Sequence, residues 1–249
     1  MSKNWDLYFD YINEKVASIV LDMDVWKEID TEKYRQALTV RLILQQPNAD
    51  GFPSSNESNI ISEIEVALKE LVSHKEIINV GRITTDGFRD IIFYSLPEKQ
   101  KDLVEAANQI ITSTGYEFEV FSMDDEKTWA FYFDILYPNQ YQQQHMGNRS
   151  VIDSLKESGD CLETPRQVDH WLYFEHAPMR ESFVEAIKKE GFSIEENSLQ
   201  VNEDGPYPVT IHRVDSVDYF SMNDVTDLLV TFAEEYNGVY DGWGTLVMN

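Results

Sequence analysis

The chain has 249 residues, 42% hydrophobic and 12% aromatic, enough for one large domain or two ordinary ones and too apolar for a disordered chain. Its 45 acids against 20 bases give a net charge of -25, a field that repels phosphate backbones and anionic lipid, so it favours a basic protein partner over nucleic acid or membrane. A single cysteine, Cys161, excludes a disulfide framework and a Cys-rich zinc site. Met1 to Asp6 have no charged-then-apolar leader pattern, and no apolar run approaches the roughly 20 residues of a membrane span, so a cytoplasmic location is expected.

Trp5, Leu7, Phe9 and Tyr11 alternate with Asp6, Tyr8 and Asp10, the period of a half-buried strand. A turn over Ile12 to Lys15 leads to Ala17, Ile19 and Leu21, which completes a hairpin. Leu38 to Leu44 reads as a strand stopped by Pro47, and Ile60, Ile61, Ile64, Ala67, Leu68 and Leu71 form the apolar stripe of a helix. Ile77 to Thr84 and Phe88 to Leu96 flank Thr85-Asp86-Gly87 as a second hairpin. Pro97 and Glu98 open a helix that ends at Gly115; Tyr116 to Val120 and Trp129 to Tyr137 are two further expected strands.

Pro138 to Gly147, rich in Gln and Asn, is the expected connection, which divides the chain into domains 1–138 and 149–249 with a linker at 139–148. A short helix with Val151, Ile152 and Leu155 follows. Val168 to Glu175 is a strand, Met179 to Glu190 a helix, Phe192 to Leu199 a strand, Asn202 to Pro206 a turn and Pro208 to Val214 a strand. The last helix is expected from Ser221, its cap, to Tyr236, before a final strand in which Asp241-Gly242 forms a bulge that re-aims Tyr240 and Trp243. Each half reads strand, helix, strand, strand, helix, strand. The fold class is therefore α+β, two ferredoxin-like (βαββαβ) domains, the first with extra strands at both ends.

No P-loop, dinucleotide fingerprint or nucleophile elbow is present, so no enzyme chemistry, cofactor or metal is expected. His170, His176 and His212 lie on strands expected to pair, but alternation keeps the three imidazoles from one point. Trp171 and Tyr173 fall on the sheet face away from the helices, beside Asp169 and Glu175 rather than bases, which suits protein contact better than RNA stacking. Tyr240, Asp241, Gly242 and Trp243 are read in two ways, as a bulged core strand or as a partner-facing aromatic pair. Arg82 and Arg89 suit either an anion site or cross-strand pairs with Asp86 and Asp90.

Several stretches resemble known families. Leu155-Lys156-Glu157-Ser158-Gly159, Glu190-Gly191-Phe192, Phe232-Ala233-Glu234-Glu235-Tyr236 and above all Tyr240-Asp241-Gly242-Trp243-Gly244-Thr245 make the second half similar to the regulator of ribonuclease activity B family. The first half resembles a bacterial family of unknown function often found beside it, through Trp5-Asp6-Leu7-Tyr8-Phe9, the run Gly81 to Asp90 and the run Trp129 to Pro138. The resemblance implies a non-enzymatic modulator of RNA turnover that binds the basic, noncatalytic scaffold region of ribonuclease E. Enterobacterial-type members continue past the Gly-Trp segment into an acidic tail, whereas this sequence ends at Asn249. The alternative from another class is a small-ligand or substrate site in the first domain, near Arg82, Arg89 and the aromatic strands.

Overall fold

The computed structural model describes residues 4–123, 128–195, 199 and 206–248. The chain divides into two units, Met1–Pro138 and Asn139–Asn249. In the first unit β1 (Trp5–Ile12) and β2 (Lys15–Asp22) form a hairpin. Its two turn residues, Asn13 and Glu14, take φ of 49° and 65°, the left-handed pair that matches a two-residue turn to strand twist. A short α1 (Val25–Glu28) precedes β3 (Gln36–Ile43), α2 (Ser55–Val72), β4 (Ile77–Thr85), β5 (Phe88–Ser95), α3 (Gln100–Ile111) and β6 (Phe118–Ser122).

These six strands pair in the order β1-β2-β4-β5-β3-β6, every pair antiparallel. Ser54 caps α2 by accepting from the Glu57 N–H. Leu38, Val40 and Leu42 of β3 and Ile91 and Phe93 of β5 pack against Ile61 and Leu68 of α2 and Leu103 of α3. Each such fully buried side chain contributes about 1.5–3 kcal/mol. The free edge of β1 is blunted: the Asp6 and Asp10 carboxylates accept from the N–H groups of Leu7 and Tyr11 at 2.7 Å each.

Trp129 to Tyr137 is not a strand. Phe131–Leu136 forms wide helical turns, with the Tyr137 N–H donating to the Tyr132 carbonyl five residues back at 2.8 Å. The buried residues are Trp129, Tyr132 and Leu136, while Phe133 and Ile135 are exposed. Their spacing of three and four is helical, and a run apolar at nearly every position hides that period. Trp129 stacks on Tyr94 at 4.0 Å, and the Tyr132 hydroxyl donates to the Asp22 carbonyl at 2.5 Å. Among the described residues the first unit therefore carries its extra strands at one end only.

The second unit begins with α4 (Gln140–Glu157), so the Gln- and Asn-rich stretch 139–148 expected as a connection lies within a helix. Asn139 and Gln142 form a reciprocal cap at its start, the physical reason this polar run is helical. Then come β7 (Arg166–Phe174), α5 (Ala177–Ile187), β8 (Ser193–Ile194), β9 (Tyr207–Asp215), α6 (Tyr219–Glu235) and β10 (Gly238–Gly244). The sheet order is β10-β7-β9-β8, again all antiparallel. The strand expected over Phe192 to Leu199 is short, and residues 196–198 and the turn residues 202–205 lie outside those described. The last helix starts at Tyr219 rather than Ser221, because the Asp218 carboxylate accepts from the N–H groups of Phe220 and Ser221 at 3.0 Å each. Among the described residues no helix is long and apolar enough to cross a membrane.

A buried amide ties this unit together. Asn148 of α4 accepts from the indole N–H of Trp243 in β10 at 2.8 Å and donates to Asn223 and Thr226 of α6 at 2.9 and 2.8 Å. Polar contacts between α4 and α6 continue toward the start of α4, with His145 on Asp227 at 2.7 Å and Tyr141 donating to Glu234 at 3.1 Å, while Ile152 and Leu155 meet Met222 in an apolar cluster. Replacing Asn148→Leu removes a hydrogen-bond partner from the buried Trp243 indole, from Thr226 and from the half-buried Asn223, and should lower the stability of this unit by about 2–4 kcal/mol. Urea unfolding followed by tryptophan fluorescence measures it; a loss below about 1 kcal/mol would mean that water replaces the amide.

Candidate functional site

The geometry of the second unit turns on the bulge in β10. Tyr240 pairs with Leu172 and Gly242 with Trp171, so the register slips at Asp241. Residues three apart on a regular strand face opposite sides; the inserted residue lets Tyr240 and Trp243 both point inward. Trp243 is 7% exposed, and the Tyr240 hydroxyl lies 2.9 Å from Nδ1 of His170. Two of the four residues in the Tyr240-Asp241-Gly242-Trp243 segment thus place their rings in the core, and Asp241 stands at the exposed bulge.

Among the described residues of this unit no helix packs on the opposite face of the sheet. Along β7 the side chains alternate cleanly: Val168, His170, Leu172 and Phe174 are buried, while Trp171 and Tyr173 are 39% and 37% exposed. Across the sheet these two are joined by Thr210, Pro208 and Val239, the last 64% exposed. Gly244 is a requirement of this face, since a Cβ there would lie 2.9 Å from the Trp171 ring. A cleft of about 520 Å³ opens beside that ring, between Asp169, Gln167, Thr245 and Leu246. The Gln167 amide donates to Asp169 at 2.8 Å, and Asp169 faces His212 across the ladder. The floor of the cleft is anchored by Arg166, which reaches Asp160 at 2.5 Å and the Leu246 carbonyl at 3.2 Å. An exposed tryptophan next to an aspartate suits a cationic side chain, through its ring face and its charge together.

Arg82 and Arg89 do come together in the first unit, but around a carboxylate of the same chain. Glu65 of α2, buried, lies 3.1 Å from Arg82, 3.7 Å from Arg89 and 2.5 Å from Lys69. Burial alone would raise its pKa; the charges of Arg82, Lys69 and Arg89 outweigh burial and hold it below the ordinary value. Burial, helped by the neighbouring Arg82, brings Arg89 down to about 10. The expected pairings with Asp86 and Asp90 are replaced: Asp90 takes a bidentate bond from Arg41 at 2.7 Å, and Asp86 lies 3.9 Å from Lys15. The signal for Glu65 was present in the sequence, an acid set on the apolar stripe between Ile61 and Leu68.

The three histidines do not converge, and no group of three His, Cys, Asp or Glu able to hold a metal occurs among the described residues. His170 is fully buried, and burial, with Arg213 adding to it, pushes its pKa down to about 3. Unfolded, the imidazole titrates near about 6.5. Between those values the unfolded chain binds the extra proton, so stability falls as pH drops from about 6.5, by up to about 1.4 kcal/mol per pH unit. Urea unfolding across pH 7 to 4.5 should show this slope, and His170→Asn should flatten it; an unchanged slope would place the proton uptake elsewhere.

A model of a family of unknown function, DUF695, matches residues 3–137, and the model of regulator of ribonuclease activity B matches residues 145–245. No curated protein matches the chain. Among solved structures, the crystal structure of an unknown protein from Galdieria sulphuraria is 12% identical, with 85% of this chain and 99% of that chain covered at a TM-score of 0.23. The two family spans fall one in each unit. The chain therefore belongs to the DUF695 family, and its second unit is similar to the regulator of ribonuclease activity B family.

Proposed function

We propose that this protein is a cytoplasmic, non-enzymatic regulator of ribonuclease activity that works by binding a protein partner through the open sheet face of its second unit. The observation that carries the reading is the match of residues 145–245 to the regulator of ribonuclease activity B family. The partner is the basic, noncatalytic scaffold region of a ribonuclease E-type enzyme. Such a region is rich in RNA-binding cations, and an acidic protein occupies them as an RNA-like competitor. Charge supports this, with -25 over the chain, and so does the placing of Asp169 beside the exposed Trp171. The strand orders β6-β3-β5-β4 and β10-β7-β9-β8 support a ferredoxin-like reading of both units.

Cleavage of a fluorogenic RNA by a purified ribonuclease E-type enzyme tests the proposal. Added protein should slow cleavage at low salt and lose potency as salt rises. The double variant Trp171→Ala/Tyr173→Ala, at positions exposed enough to leave folding intact, should need about tenfold more protein, equivalent to about 1.4 kcal/mol. Unaltered cleavage at every salt concentration would refute regulation of this enzyme class, and a double variant as potent as the parent would move the contact off this face.

A further inference from the structure

The sheet of the first unit is wider than the helices that cover it. Strands stand about 4.8 Å apart and packed helices about 10 Å apart, so one helix covers two strands. The core beneath α2 and α3 draws on β3, β4, β5 and β6, with no residue of β1 or β2. The overhanging hairpin leaves a strip about 10 Å across, the width of one helix.

Most of what lies on that strip is apolar, with Ser18 and the buried Asp22 between. Val20 of β2 pairs with Arg82 of β4, whose guanidinium reaches Glu65 of α2, so Val20 and its β1 partner Leu7 share the helix-bearing face. Alternation puts Trp5, Phe9 and Tyr11 on the same face, and Lys69 of α2 lies over the Trp5 ring at 5.0 Å. Phe9 and Tyr11 are 59% and 71% exposed. Three aromatics at one unfilled strip mark a docking surface rather than scattered surface apolarity.

The flank of the strip fixes the chemistry of its occupant. Lys69 and Arg82 each keep 30% side-chain exposure there, with Arg89 behind them, and these three cations face the single carboxylate of Glu65. This is a cationic spot on a chain of net charge -25. An added strand at the β1 edge is opposed by Asp6 and Asp10, which already occupy the outward N–H groups of Leu7 and Tyr11. We propose that the strip receives an amphipathic α-helix of a protein partner, laid beside α2, its apolar face on Trp5, Phe9 and Tyr11 and its acidic side chains along Lys69 and Arg82. This surface takes an acidic helix where the second unit takes a basic segment, so the inference does not depend on the ribonuclease reading.

Two synthetic helical peptides of equal length test it, each with the same leucine face, one with glutamates and one with lysines along a single flank. Calorimetric titration into the full chain should show the glutamate peptide binding at least about tenfold tighter. Phe9→Ser/Tyr11→Ser should cost at least about tenfold in that affinity with the thermal midpoint unchanged, because both side chains are exposed. Lys69→Gln should narrow the preference between the peptides. Equal binding of both, binding of neither, or glutamate-peptide binding that survives Phe9→Ser/Tyr11→Ser overturns the proposal. A concentration-dependent dimer abolished by the same double variant also overturns it, since a second copy would then cover the strip.

Discussion

Helix and strand have fixed widths, and the ratio between them decides which surfaces this protein leaves open. In the second unit α5 and α6 meet four strands on one face, through Phe183, Ile187 and Leu229 packed on Leu172, Val209 and Ile211. With α4, whose Ile152 and Leu155 pack with Val168 and Trp243, they cover that face, and β7 turns its more exposed side chains to the other at every second position. In the first unit α2 and α3 pack on four of six strands, and the excess appears as the β1–β2 hairpin, uncovered on its helix-bearing face. The aromatic residues that suit partner contact, Trp171 and Tyr173 in one unit and Phe9 and Tyr11 in the other, all stand where this ratio leaves a face uncovered.

Buried polar groups then fix what width alone leaves loose. Asn148 joins α4, α6 and β10 through one amide, and the bulge at Asp241 brings the Trp243 indole to it. Glu65 does the same under α2, where one carboxylate holds two arginines from adjacent strands and a lysine from its own helix. Each is held within its own unit, which makes it a clasp whose loss leaves uncompensated polar groups in a dry interior.

Much of the fold was legible where one period ruled. The alternation of Val168 to Phe174 sorted core from surface correctly, and the spacing of Ile61, Ile64 and Leu68 placed α2. Trp129 to Tyr137 was misread because all its residues but Ala130 and Asp134 are large aromatics or aliphatics, so periods of two and of 3.6 fit almost equally well. The run Gln140 to Gly147 was misread because its helix rests on a capping box and on hydrogen bonds to α6, contacts invisible to hydrophobic pattern. The partners of Arg82 and Arg89 were missed for a related reason: local pairing pointed to Asp86 and Asp90, whereas the carboxylate that binds them comes from a helix outside the hairpin.

In the proposed function, acidic charge spread over both halves sets the sign of attraction, and exposed aromatics set where it acts. Hydroxyl-radical labelling of the full chain, alone and with the noncatalytic region of a ribonuclease E-type enzyme, tests the placement of that contact most directly. The account predicts that Trp171 and Tyr173 lose labelling in the complex while Phe9 and Tyr11 keep theirs. A complex that forms with Trp171 and Tyr173 labelled as in the free protein would contradict it.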